Sequence, residues 1–366
     1  MISFQPTEEQ EMICGMVRDF ASKELREKAR DCDEDYQLPD DLIAQSLELG
    51  LIAGPIPEEY GGGGLPRSPL TSALILEELG YGCVSLGAAL MSPCLFLQPL
   101  LDFGTEDQKQ KFLPMFTGGE FPKATMALTE PRFDFDAAKL RTTAERRDGS
   151  WVLNGEKCQV PLADRADVFL VLAEESGGGR QAFIVPRGAA GLTIAEEEER
   201  TLGFQSLPRG SLSMKDVTLP ADARLGGDQG VDAQRIINSV RVGGAALAVG
   251  ISRAITEFSI GYAKERVAFG EPIGKKQAIA FKLADMHTEV ETMRWMVWKA
   301  ASQLEQGSDA TRSTTLAQNY ASRKAMKIAD EGVQILGGHG YIRDFPVEMW
   351  FRNTRALTLI DGPVAT

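Results

Sequence analysis

Arg266-Val-Ala-Phe-Gly-Glu-Pro-Ile-Gly-Lys-Lys-Gln277 sets a fixed cation, an aromatic ring and an amide in one compact turn between two long helical patterns. Its companion, Gln334-Ile-Leu-Gly-Gly-His-Gly-Tyr341, closes a further helical pattern with glycines that let a ligand come up against the backbone. Charge, stacking surface and bare backbone together suit a large anionic cofactor that carries an aromatic base. Either segment alone reads equally well as an ordinary connection between helices.

Outward from this pair the helical period is sustained. Ile236, Val240, Leu247, Ile251, Ile255, Phe258 and Tyr262 mark one face of a helix of about nine turns. Patterns over Ala278–Gln306, Ser313–Leu336 and Val347–Leu359 follow with short loops, which predicts an up-down four-helix bundle over residues 225–366. Upstream, residues 121–224 change period. Short strand-like runs at Lys123–Thr129, Arg141–Glu145, Ser150–Leu153, Asp167–Ala173, Gln181–Val185, Leu192–Ala195 and Leu212–Leu219 are separated by Gly, Pro and Asp-Gly turns. They predict a middle β-barrel or sandwich.

Residues 1–120 read as helical again. Thr7-Glu-Glu-Gln10 is a capping box ahead of Ile13, Met16, Val17, Phe20 and Leu25 at helical spacing. A second helix runs from Asp40 to Gly50, and further helices are expected at Ser68–Leu79, Val84–Leu101 and Thr105–Phe116. The glycine run Gly61–Gly64 lacks the G-K-[ST] of a phosphate loop and reads as a sharp loop. The fold class is therefore α+β multidomain: an N-terminal α-helical domain, a middle β domain and a C-terminal four-helix bundle.

A net charge of −13 without a basic block argues against nucleic acid as a partner. Cys14, Cys32, Cys83, Cys94 and Cys158 form no C-x-x-C pair, so free thiols in a reducing compartment are expected, with no metal site. With two histidines in the chain, a His-based triad is disfavoured. His287 reads as a structural residue among core-facing helix positions, and His339 as a local hydrogen-bonder in its glycine turn. No apolar run of ~18 residues stands out, so no membrane partner is expected and a cytoplasmic location is.

Taken with Pro57-Glu-Glu-Tyr-Gly-Gly-Gly-Gly64 and Gly104-Thr-Glu-Asp-Gln-Lys-Gln-Lys-Phe-Leu-Pro114, the two opening segments resemble the acyl-CoA dehydrogenase family of flavoproteins from about Thr7 onward. The resemblance implies FAD as cofactor and an acyl-CoA thioester as substrate. A carboxylate would remove the proton next to the thioester while hydride leaves the neighbouring carbon for flavin N5. It carries Arg266, Phe269, Gln277, Gln334, Gly337 and Gly338 over as the residues that hold the ADP half of FAD, reaching across an interface in a tetramer. It also implies an electron-transfer flavoprotein as partner, and a further short helix where this chain stops at Thr366.

The family's usual base is a glutamate in an E-G-T turn after an M-x-x-R-D-A helix. Met349-Trp-Phe-Arg-Asn-Thr leads here to Asp361-Gly362-Pro363, so Asp361 is the candidate base. It is shorter than glutamate by about one ~1.5 Å bond, a difference to which near-attack geometry is sensitive. Some relatives carry the base before an arginine on the first bundle helix. Arg241 matches that arginine, but Val240 precedes it and cannot act. Asn238, Arg241 and Gly362 are carried over as substrate-binding residues.

The flavin-ring side departs from the family pattern. T-E-P-x-x-G-S-D reads Thr129-Glu-Pro-Arg-Phe-Asp-Phe135-Asp136, which keeps Thr129 as a cofactor contact but loses Gly-Ser. K-x-W-I-T/S reads Lys157-Cys-Gln159-Val-Pro161, and proline offers neither a side-chain donor nor a backbone N–H. G-T-S-E becomes Gly362-Pro-Val-Ala365. Four readings stay open, the last a binding or scaffold protein with no flavin. One is a self-sufficient dehydrogenase using Asp361. Another is a weak or inactive subunit completing the FAD site of a paralogous chain in a hetero-tetramer rather than a homo-tetramer. The third is a flavin oxidase with an Asp base.

Overall fold

The computed structural model describes residues 5–195, 201–359 and 363–366. The capping box closes as the sequence predicts: Gln10 N–H donates to Thr7 Oγ1 at 3.2 Å and Thr7 N–H to Gln10 Oε1 at 3.0 Å. Helix α1 (Glu8–Phe20) continues through a π-turn at Ala21–Leu25 into α2 (Arg26–Asp35), and α3 spans Asp40–Glu48. The glycine run is a tight loop, since a Cβ on Gly62 would stand 2.1 Å from the Ile56 carbonyl oxygen.

Helix α4 (Pro69–Met91) is followed by α5 (Cys94–Phe103) and α6 (Glu106–Phe112). The break expected between Leu79 and Val84 is present as a kink inside α4 at Cys83, where φ is −155° and ψ 115°. The glycines beside it are contact points. A Cβ on Gly82 would lie 2.5 Å from the Ala21 carbonyl oxygen, and one on Gly80 would lie 2.6 Å from that of Leu247. Helix α4 is long and apolar enough to cross a membrane by composition, yet 89% of that stretch is buried inside the protein, the signature of a core helix.

Strands β1 (Ala124–Ala127), β2 (Thr143–Arg147), β3 (Ser150–Pro161), β4 (Val168–Glu175), β5 (Gly179–Pro186), β6 (Leu192–Ile194) and β7 (Arg209–Leu219) form one curled sheet. The order is β1-β4-β2-β3-β7-β6, with β5 paired to β4. β1 runs parallel to β4, whereas β3 pairs antiparallel with β2 and β7. Asp148 and Gly149, at φ +49° and +82°, make the β2–β3 hairpin turn. β3 extends well past the expected Leu153, through an irregularity at Gly155 (φ +146°), where a Cβ would stand 2.7 Å from Thr142 Cα. A separate apolar cluster around Trp151, Phe169, Phe183 and Leu212 fills this part.

Helix α7 (Ala233–Glu265), capped by Asp232, is the axis of the C-terminal part, with α8 (Gln277–Glu305), α9 (Thr311–Leu336) and α10 (Val347–Leu357) against it. It also crosses α4 at backbone contact: a Cβ on Gly250 would lie 2.1 Å from the Glu77 carbonyl oxygen. Gly250→Val is therefore expected to destabilise the protein by about 3 kcal/mol or more in chemical denaturation. Gly261→Ala, on the same helix with nothing within 4 Å of the new methyl, is expected to stabilise it by about 0.5–1 kcal/mol. His287 corrects its expectation. The core positions of α8 are Met286, Val290, Met293 and Val297, and the next residue round the helix turns His287 outward, where it is exposed.

Buried charge ties these parts together. Glu78 of α4 accepts hydrogen bonds from Arg18 at 2.6 and 3.1 Å and from Arg253 at 2.5 and 3.1 Å; Glu77 accepts from Arg294 at 2.6 and 2.9 Å. Tyr81 is sandwiched between the guanidinium carbons of Arg26 and Arg253, 4.0 and 4.2 Å from its ring centre. Helix α10 is pinned by Arg352, which reaches Asp33 at 2.6 Å and Glu348 at 2.9 Å.

Candidate active site

The two opening segments meet at one end of the bundle. Arg266 N–H donates to Tyr262 O at 2.8 Å as α7 ends, and Tyr262 Oη lies 2.9 Å from His339 Nδ1 in the turn that follows α9. His339 also stacks on Phe345, with ring centres 4.7 Å apart and an interplanar angle of 11°. It is the local hydrogen-bonder the sequence reading expects. Arg266, Gln277, Gln334, Gly337 and Gly338 are all exposed here.

Between Arg266 and Gln277 the chain makes a miniature hairpin, Val267–Ala268 against Glu271–Pro272. Its turn residues, Phe269 and Gly270, have φ of +56° and +84°. A two-residue turn of this kind favours Asn-Gly, and a bulky aromatic at the first position carries backbone strain of about 1 kcal/mol. That ring is 95% exposed, so intramolecular packing does not offset the strain. Gly337 has φ of +59° with nothing within 4 Å of a would-be Cβ, which leaves its backbone bare. A guanidinium, a presented aromatic face, two carboxamides and bare glycine backbone fit the ADP half of FAD. Tyr341 (85% exposed), Val267 and Phe281 extend the apolar surface around them.

The second group of expected residues lies along β1 and β3. Thr129 is half-buried two residues after β1, and its carbonyl oxygen accepts the Cys158 N–H at 2.9 Å. Gln159 has φ of +53° and accepts a hydrogen bond from Arg209 at 2.8 Å. Buried Pro161 ends β3 opposite Arg209 and presents no donor. Phe135 is half-buried against the main core, with the Arg132 guanidinium carbon 5.7 Å from its ring centre. On this side the chain offers backbone and packing in place of the hydroxyl donors the family pattern carries.

Between these stretches lies a pair that the sequence reading passed over. Lys157 is fully buried and donates to Leu128 O at 3.0 Å and Glu130 Oε1 at 3.1 Å. Burial pushes its ammonium pKa down to about 8 against the pull of Glu130. Glu130 is held below the ordinary carboxylate value; burial opposes this, and Lys157 with the N–H groups of Thr142 and Arg141 overcomes it. Its signal was available: Lys157 and the Glu of T-E-P stand unchanged while the Gly-Ser, the tryptophan and the hydroxyl of the neighbouring pattern are replaced.

Asn238 of α7 is buried and internally engaged. Its carboxamide oxygen accepts from Gln234 at 2.9 Å and Thr314 at 3.0 Å, and its NH₂ donates to Thr311 at 3.1 Å. Arg241, half-buried one turn on, lies 3.4 Å from Thr315 Oγ1. Asp361 and Gly362 lie outside the described residues. Just after them, Val364 sits on α7 so closely that a Cβ on Gly243 would be 2.9 Å from it, and Thr366 N–H donates to Ser239 Oγ at 3.0 Å. Asn353, where the family pattern has aspartate, accepts the Phe204 N–H at 2.7 Å, so a neutral amide holds that loop.

Known proteins agree with this layout. Models of the acyl-CoA dehydrogenase N-terminal, middle and C-terminal domains match residues 7–120, 125–217 and 229–365. An acyl-CoA dehydrogenase of Bacillus subtilis is 36% identical over 363 residues, covering 97% of this chain and 95% of its own. The mitochondrial short-chain specific acyl-CoA dehydrogenase of Bos taurus is 35% identical over 368 residues, covering 98% and 88%. The structure of butyryl-CoA dehydrogenase from Megasphaera elsdenii superposes with a TM-score of 0.88 at 32% identity, covering 99% of this chain and 96% of that one. The chain belongs to the acyl-CoA dehydrogenase family, FAD-dependent oxidoreductases that act on CH–CH bonds.

Proposed function

We propose that this protein dehydrogenates a short acyl-CoA thioester across its α and β carbons, with Asp361 as the base. The observation that carries the FAD half of this reading is the bundle end: a strained, outward-facing Phe269 beside Arg266, Gln277, Gln334 and the bare backbone of Gly337 and Gly338. Bound FAD supplies the acceptor for the hydride equivalent. The protein's part is to hold the thioester, take the α-proton and exclude water. Arg241, with Asn238 behind it on α7, supports the CoA part, and Thr129 contributes to the ring side. A short acyl group is supported by the printed names of two relatives, short-chain specific and butyryl-CoA dehydrogenase, and by the bulk of Phe135 where the pattern has a small residue.

Gly243 lets the segment from Pro363 to Thr366 lie against the α7 backbone, where Thr366 N–H donates to Ser239 Oγ. Anaerobic addition of butyryl-CoA to the FAD-loaded protein is expected to bleach the flavin. A flavin that stays oxidised with every straight, branched or aryl acyl-CoA would overturn the reading.

A second reading rests on the contrast between the two cofactor regions. Residues for the ADP half face outward from the bundle end, where they can serve a neighbouring subunit. On the ring side, Pro161 and Phe135 have replaced hydrogen-bonding residues. A tetramer of mixed chains, in which this subunit completes its partner's FAD site, fits that contrast. The exposed apolar surface around Phe269 and Tyr341 is the face either tetramer, homomeric or mixed, would cover. Electrons would pass on to an electron-transfer flavoprotein.

A further inference from the structure

We propose that Glu130 and Lys157 are positioning residues for the flavin: they lock Thr129 and the strand end Lys157–Pro161 at a fixed spacing beside the ring. The proposal rests on the FAD-dependent reading above. Three stretches converge on the couple. Lys157 Nζ binds Leu128 O and Glu130 Oε1. The Glu130 carboxylate accepts the Arg141 N–H at 2.8 and 3.0 Å and the Thr142 N–H at 2.8 Å, and its other oxygen stands 3.3 Å from Arg132 Nε. The Cys158 N–H closes the seam on Thr129 O. Glu130 thus forms the neck of the loop that carries Phe133 and Phe135, and Lys157 fastens that neck to β3.

Neither group is placed to meet a substrate: Lys157 is wholly enclosed and Glu130 is 4% exposed. A buried ion pair is also a poor way to stabilise a fold, because the desolvation of two charges offsets most of their attraction and an apolar pair packs as well. What such a pair does supply is one defined geometry, through directional bonds to named backbone atoms. This edge needs it. With Pro161 lacking a donor and Gln159 bonded to Arg209, the ring would be placed chiefly by where the backbone of Thr129 and β3 stands. The couple sets that position from behind.

The test compares Lys157→Met, Glu130→Gln and the double variant with the parent protein. The readouts are the FAD dissociation constant from flavin fluorescence quenching, the flavin absorption spectrum and midpoint potential, and thermal stability without FAD. Each single variant is expected to lose stability and to bind FAD at least about tenfold more weakly, the scale on which supporting partners of a ligand shell act. The double variant, with no charge left buried, is expected to recover its stability while keeping the weaker binding and the altered spectrum. Recovery of both together would overturn the proposal and leave the pair a purely structural device. If neither single variant folds, the double variant still decides. A parent protein that binds no FAD overturns the underlying reading and the couple with it. A parent that binds FAD, with variants that match it in spectrum, potential and affinity, overturns the couple alone.

Discussion

Asp361→Asn is expected to slow acyl-CoA-driven flavin bleaching by about 10²–10⁴-fold, the usual contribution of a positioned general base. The amide is nearly isosteric and cannot accept the proton, so acyl-CoA binding and FAD content should stay within a few-fold of the parent. Stopped-flow reduction under anaerobic conditions, with substrate affinity read in parallel, separates the two effects. Asp361→Glu adds the methylene that the family's usual base carries. That variant shifts the carboxylate by one bond of ~1.5 Å, a displacement to which near-attack geometry is sensitive. Its rate should fall below the parent's and remain well above that of the asparagine variant. An asparagine variant as fast as the parent would remove Asp361 from the mechanism.

Arg253→Leu is expected to cost about 3 kcal/mol of unfolding free energy at neutral pH. Arg253 serves two buried carboxylates at once, Glu78 at 2.5 and 3.1 Å and Glu77 at 3.3 Å, and it carries one face of the Tyr81 sandwich. Arg18 and Arg294 remain as partners, which keeps the loss from being larger. The pH dependence has a definite sign. Burial alone would raise the pKa of Glu78, but the hydrogen bonds from Arg253 and Arg18 hold it below its ordinary 4.5. Its stabilising contribution is therefore full above pH 4.5 and is lost as pH falls through the lower folded value. The difference between parent and variant should accordingly be largest at neutral pH and shrink on acidification. Urea unfolding at pH 7 and near pH 4 measures it; a pH-independent difference would show that the loss is one of packing alone.

The local signals in the sequence were those that act within one element. The capping box at Thr7, the apolar face of α7 and the Asp148-Gly149 turn each name their own structure, because the responsible atoms lie within a few residues. Gly80 and Gly82 act beyond their own element: they let α7 and the α1–α2 junction touch α4, a contact made at long range in sequence. β3 outran its apolar run because its second half is held by partners elsewhere, Lys157 on Glu130 and Pro161 opposite Arg209. His287 was misplaced by about 100° of helix rotation, the angle between neighbours on one turn. For the site, residue identity revealed the bundle-end constellation, while the strain at Phe269 and the enclosure of Lys157 required the three-dimensional arrangement.

The most direct test is the flavin content of this chain purified alone, with FAD released, identified and counted per chain. About one FAD per chain, reducible by a short acyl-CoA, is the result expected of a self-sufficient dehydrogenase. Little or no FAD on the isolated chain, with stoichiometric FAD appearing only when a related acyl-CoA dehydrogenase chain is co-expressed, would contradict it. The protein would then be the half-site subunit of a mixed tetramer.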